Sequence, residues 1–105
     1  MSEGLDRLFA TIAARKDADP ASSYTAKLLA AGVEKCAKKF GEEATEAVIA
    51  AIQRDKAELA KESADVLYHL AVLWAASGIT PEDVYAVLKS REAMSGLEEK
   101  AGRKG

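Results

Sequence analysis

Apolar residues recur along most of this chain at helical spacing, and polar punctuation divides them into five segments. Leu5, Leu8, Phe9 and Ile12 predict a first amphipathic helix from about Glu3 to Lys16, capped by Ser2. DADPASS, residues 17–23, reads as a turn-rich connector whose last serine can cap the next helix. Tyr24 to Ala31 makes a short helix, stopped at Gly32 because glycine suits the left-handed position after a helix end. A long helix is then expected from about Val33 to Gln53, with Val33, Cys36, Ala37, Phe40, Ala44, Ala47, Val48 and Ala51 as its apolar stripe. Lys35, Lys39, Glu42 and Glu46 gather on the opposite side, and Glu43 falls at the edge of the stripe. Ile49 also falls on the charged side, where a second buried surface against a partner subunit would account for it. Gly41, inside this helix, costs about 1 kcal/mol relative to alanine. A close approach by another backbone would explain it, and so would a simple local weakness.

Gln53-Arg54-Asp55 breaks the pattern and lets the chain fold back antiparallel. Asp55 and Glu58 resemble a capping box opening a helix that runs to about Ser77. Leu59, Ser63, Val66, Leu67, Leu70, Leu73 and Trp74 are expected on its core face. Glu62 projects into or beside that stripe, a costly place for an acid unless it is paired or bound to metal. Gly78 ends the helix, and Thr80-Pro81-Glu82-Asp83 supplies the cap, the N1 proline and the first-turn acids of a last helix to about Ala93. The segment from Met94 onward reads as a tail, ordered only where something holds it. The expected fold is therefore all-α: an antiparallel bundle of about five helices, in a single domain over residues 1–105.

Composition agrees. A chain of 105 residues has room for one compact domain, and its many alanines, few aromatics and two prolines favour helices. The net charge of −2 and pI near 5.4 argue against a nucleic-acid footprint. A single cysteine, Cys36, excludes an internal disulfide framework and fits a reducing cytosol. The N-terminus is too polar for a signal peptide and no apolar run approaches membrane-spanning length, so a soluble cytoplasmic protein is expected.

The candidate chemistry lies in two acidic clusters, Glu42-Glu43-x-x-Glu46 and Glu62-x-x-Asp65, on helices expected to pack antiparallel. Glu43 with Glu46, and Glu62 with Asp65, are side-by-side pairs. Folded together, four carboxylates in one small volume require a compensating cation. Oxygen-only ligands favour a hard ion, magnesium or manganese, over zinc. The bland alternative is that the acids are solvated, but their conjunction on adjacent helices, one intruding into an apolar stripe, favours a metal site for phosphate chemistry. Lys35 and Lys39 can neutralise phosphates or simply pair with nearby acids; Arg91 and Lys89 can contact phosphate or complement the last helix dipole. His69, four residues after Asp65, can donate to it but is not assigned as ligand or base, and Cys36 is expected to be inert. Tyr68 and Trp74 are packing residues, with Tyr68 off the core stripe and able to face a partner. No Gly-rich phosphate loop, CxxC pair or Ser-His-Asp set is present, and Glu-x-x-His, which a di-iron bundle needs, is absent.

The two acidic motifs resemble those of the all-α nucleoside-triphosphate pyrophosphohydrolases, the MazG-like superfamily. More narrowly, SYTAKLLAAG (residues 23–32), EKCAKKFGEEATE (34–46), ESADVLYHL (62–70) and REAMSGLEEK (91–100) look like the phosphoribosyl-ATP pyrophosphatase family of histidine biosynthesis. That resemblance implies hydrolysis of phosphoribosyl-ATP to phosphoribosyl-AMP and pyrophosphate, by a stand-alone form without a fused cyclohydrolase domain. It implies magnesium ligands at Glu43, Glu46, Glu62 and Asp65, and a supporting or second-metal role for Glu42. Lys35, Lys39, Lys27 and Arg91 are the candidate substrate contacts, and a homodimer or larger homo-oligomer is the implied assembly. Two alternatives stand beside it: a housecleaning triphosphate pyrophosphohydrolase of the same superfamily, and a non-catalytic helical dimerisation module.

Overall fold

In the computed structural model, residues 3–92 are described, and they form five helices with no strand among them. These are α1 (Glu3–Ala14), α2 (Tyr24–Ala31), α3 (Val33–Ile52), α4 (Lys56–Ser77) and α5 (Pro81–Glu92). The expected cap at Ser2 and tail from Met94 lie outside the described residues.

Local chemistry explains the boundaries. The Ser23 hydroxyl accepts the Ala26 N–H at 3.1 Å, opening α2. Gly32, at φ +97°, both ends α2 and turns the chain into α3. At the α3–α4 turn, the Arg54 N–H donates to the Ala51 carbonyl at 3.0 Å and the Asp55 N–H to the Ala50 carbonyl at 3.1 Å. This paired closure needs a left-handed residue, and Arg54 supplies it at φ +60°. The Asp55 carboxylate caps the Glu58 N–H at 3.0 Å. The reciprocal arm of the expected capping box is not made, because Ala50 already takes the Asp55 N–H. Gly78, at φ +77°, closes α4 in the same paired way. Thr80 and Asp83 do form a full box, with N–H to side-chain bonds of 2.9 and 3.3 Å in the two directions.

The antiparallel α3–α4 hairpin is the axis of the fold, with α1 along α4 and α2 against both hairpin helices. α5 reaches back to α1, where the Tyr85 hydroxyl donates to Asp6 at 2.9 Å. The core joins Ile12, Leu28, Cys36, Ala71 and Val72, flanked by Phe9, Leu29, Tyr68 and Leu73. It therefore sits where α1 and α2 cover the start of α3 and the end of α4. The distal half of the hairpin, residues 41–65, adds only Ala50 and Glu62 to the buried set.

Two helix faces differ from expectation. On α3 the buried and half-buried positions are Cys36, Lys39, Phe40, Glu43, Ala44, Ala47 and Ala50, while Val33, Ala37, Val48 and Ala51 are exposed. On α4 the buried set is Glu62, His69, Ala71, Val72 and Trp74, and Ser63 and Leu67 are exposed. Both helices are rotated so that Glu43, Glu62 and Asp65 enter the seam between them, leaving Val48, Ile49 and Ile52 largely exposed. Tyr68 is half-buried and packs against the core with its hydroxyl paired to Thr25. Around Gly41, an added Cβ would meet nothing within 4 Å, so no close backbone approach among the described residues accounts for it.

Candidate metal centre

The antiparallel register sets Glu43 of α3 opposite Glu62 and Asp65 of α4. Each contributes an oxygen, and the three oxygens lie within 4.8 Å of one another. Glu43 and Asp65 are half-buried, whereas Glu62 is only 5% exposed. Its Oε1 has no hydrogen-bond partner. A buried carboxylate oxygen left this way carries the full cost of its lost hydration.

The surroundings sharpen that cost. The Glu62 carboxyl is pushed up from 4.5 to about 7, first by its hydrogen bond with Glu58, then by burial, then by the negative charges of Glu46, Glu58 and Asp65. Glu46 and Glu58 join Glu62 in lining a cavity of about 370 Å³ between the helices, closed toward the turn by Gln53 and Asp55. Glu58 is the acidic neighbour of Glu62 that the sequence reading reduced to a cap. Its position four residues before Glu62 on α4 carried the signal, since that spacing stacks two side chains on one face. The ammonium of Lys61, 3.8 Å from the Glu58 carboxylate, is exposed and compensates it weakly.

The other candidates are distributed around this seam. Glu42 is exposed and faces Lys39, carboxylate to ammonium at 3.5 Å, so it stands apart from the three converging acids. Lys35 and Lys27 are exposed, on α3 and α2, and Lys27 borders a surface cavity beside Tyr24. Arg91 is exposed in the last turn of α5. Cys36 is buried in the core, its thiol pushed up by burial and donating to the Leu28 carbonyl at 3.2 Å. That environment leaves it unreactive.

The donor set is therefore oxygen-only, held by two helices, with an unpartnered buried oxygen among like charges. A hard divalent cation fits these residues, and a thiolate- or imidazole-loving metal does not.

Comparison with known proteins adds a family. The family model described as phosphoribosyl-ATP pyrophosphohydrolase matches residues 5–92. The chain is 64% identical over 99 residues to a phosphoribosyl-ATP pyrophosphatase of Cereibacter sphaeroides, covering 94% of this chain and 96% of that protein. It is 61% identical over 101 residues to the phosphoribosyl-ATP pyrophosphatase of Paracoccus denitrificans, covering 96% and 94%. With the protein of that name from Parvibaculum lavamentivorans, identity is 64% over 99 residues, covering 94% and 91%.

Proposed function

The chain belongs to the phosphoribosyl-ATP pyrophosphohydrolase family, and from that premise we propose that it hydrolyses phosphoribosyl-ATP to phosphoribosyl-AMP and pyrophosphate, the second step of L-histidine biosynthesis. The observation that carries this reading is the convergence of Glu43, Glu62 and Asp65 around the unpartnered Glu62 oxygen. Those three residues, with Glu46 beside Glu62 on the wall of the adjoining cavity, would hold a magnesium or manganese ion. When bound, such an ion supplies Lewis-acid polarisation of the phosphoryl oxygens.

The chain's own residues do the rest. Glu62 would release its proton to solvent to serve as a ligand, and the hydrogen bond it shares with Glu58, which favours the protonated carboxyl, would be given up with it. Glu43, half-buried at the seam, accepts a hydrogen bond from the attacking water and is the candidate base. Lys35, Lys39, Lys27 and Arg91 offer cations to phosphate oxygens as charge shifts to the leaving pyrophosphate. Lys39 must leave Glu42 to do so, and Glu42 would have to leave Lys39 to join an ion.

The assembly belongs to the same proposal: a homodimer built on the outward face of α3, where Val48, Ile49 and Ile52 are 56%, 48% and 75% exposed. Three apolar side chains clustered at such exposure mark an association surface. No described helix is long and apolar enough to cross a membrane, and a cytoplasmic location is part of the reading.

The test is pyrophosphate release from phosphoribosyl-ATP by the purified chain, with and without magnesium. Magnesium-dependent release, abolished in Glu62→Ala and Asp65→Ala with helical circular dichroism retained, supports the reading. Magnesium binding without release would move the substrate to other nucleoside triphosphates. Neither binding nor release would defeat it.

A further inference from the structure

Tyr24 opens α2 with 53% of its surface exposed, yet its ring is not free to swing. It lies near-parallel to Tyr68, with centroids 6.5 Å apart and 19° between planes, and meets His69 edge-on at 6.3 Å. Tyr68 is itself fixed by His69, edge-on at 5.0 Å, and by the Thr25 hydroxyl. His69 is 7% exposed, and its Nδ1 has no hydrogen-bond partner. A buried ring nitrogen in that condition is unexplained by packing, because the cost of its lost hydration is left uncompensated. Beside Tyr24 opens a cavity of about 540 Å³, lined by residues 20–24 and Lys27. Sites for small ligands fall in the range of roughly 300–1,000 Å³.

The cluster also adjoins the carboxylates. His69 follows Asp65 by four residues on α4, which brings their side chains to one face about 6 Å apart at Cβ. Tyr24 meets the same His69 edge-on, which sets it beside the helix that carries Glu62 and Asp65.

We propose that Tyr24 is the platform on which the substrate's purine stacks, with Tyr68 and His69 positioning its ring. The proposal rests on the reading that the substrate is phosphoribosyl-ATP. A stacking platform needs an exposed aromatic face held in one orientation, and Tyr24 meets both conditions. Because the ring is already braced, little side-chain freedom is lost when a base lands on it. Lys27, three residues further along α2, lies on the same face and borders the same cavity, placing a cation beside the stacked nucleoside.

The experiment compares binding of AMP and ribose 5-phosphate, at saturating magnesium, with steady-state kinetics on phosphoribosyl-ATP. Tyr24→Ala and Tyr24→Leu should each weaken AMP roughly tenfold and raise KM alike, the size expected for losing one base–aromatic stack. Ribose 5-phosphate, which has no base, should bind them as it binds the wild type, and kcat should change far less than KM. Tyr24→Phe keeps the ring and should restore AMP affinity. Tyr24→Leu keeps the bulk, so it decides the matter even where Tyr24→Ala fails to fold. Unchanged AMP affinity in Tyr24→Leu, equal weakening of both probes, or no wild-type preference for AMP would each overturn the proposal. A wild type that prefers AMP and loses that preference in Tyr24→Leu, yet releases no pyrophosphate from phosphoribosyl-ATP, keeps the platform and removes the substrate assignment.

Discussion

Magnesium should stabilise this protein, and its effect should depend on pH in a way that Glu62 dictates. The Glu62 carboxyl is raised from 4.5 to about 7 by the Glu58 hydrogen bond, then burial, then neighbouring negative charge. Within that window the folded chain keeps a proton that the unfolded chain has released. Metal-free stability should therefore fall as pH rises through the window and level off above it. A bound ion competes with the same proton, so its stabilising effect should be smallest in acid and full above about pH 7.

The size of the effect comes from linkage. Free ion at about a hundred times its dissociation constant adds about 2.7 kcal/mol to a folded state that alone binds it. Taking roughly 2.1 cal/mol/K per residue for the unfolding entropy, a chain of 105 residues should gain about 12 °C in melting midpoint. The assay is thermal unfolding by circular dichroism at about pH 5.5 and about pH 7.5, in EDTA and in magnesium. Glu62→Gln is the control: its metal-free midpoint should lose the decline with pH seen in the wild type, and most of the magnesium gain should vanish. A wild-type metal-free midpoint that declines no more than that of Glu62→Gln, or a variant that keeps the full magnesium response, would refute the reasoning.

Other expectations are simpler. Ile12 is 1% exposed at the centre of the core, so Ile12→Ala should cost about 2–5 kcal/mol, read as a lower denaturant midpoint. Gly41→Ala should add about 1 kcal/mol, because its Cβ meets nothing within 4 Å; destabilisation would mean that a partner subunit or ligand crosses there. Arg54→Gly should stabilise the fold by up to about 1 kcal/mol, read as a higher denaturant midpoint, since Arg54 sits at φ +60° where a side chain is strained. Ile52→Glu, on the most exposed of the three outward α3 side chains, should shift the protein toward monomer in light scattering.

Helices α2 to α5 were legible because their ends are local chemistry, and α1 by its apolar spacing. Ser23, Asp55, Gly78 and the Thr80-Pro81 pair act on the backbone within three or four residues, whatever the rest of the chain does. The rotation of α3 and α4 was not legible. A stripe chosen for apolar content gathers Val48 and Ala51, but tertiary packing turned the helix to bring Glu43 inward, and no local rule weighs a carboxylate cluster against two aliphatic contacts. Arg54 was hidden for a related reason: the turn's paired hydrogen bonds impose the left-handed residue, and the sequence offers no glycine to announce it. At the site, the three-residue spacing revealed the pairs Glu43–Glu46 and Glu62–Asp65. Which of them meet depends on hairpin register, which put Glu43 with Glu62 and Asp65 and left Glu42 beside Lys39.

The division of labour along the hairpin has an electrostatic origin. Packing is dense where α1 and α2 cover it, around Cys36 and Val72, and thin in the distal half, where only Ala50 and Glu62 are buried. The repelling acids lie in the thin half. A dense core there would desolvate all of them and close the path to a charged ligand; a solvated hairpin without the core would splay under their repulsion. The core at one end and the paired closure at Arg54 at the other hold the two helices at fixed register, so the acids cannot relieve their repulsion by moving apart. The proposed cation in the seam and the proposed burial of Val48, Ile49 and Ile52 against a second copy would each compensate that repulsion. Both stabilise the same closed hairpin, so ion binding and self-association should reinforce each other. In the Ile52→Glu variant, weaker association should therefore come with weaker magnesium affinity, although Ile52 is exposed and offers no ligand atom of its own.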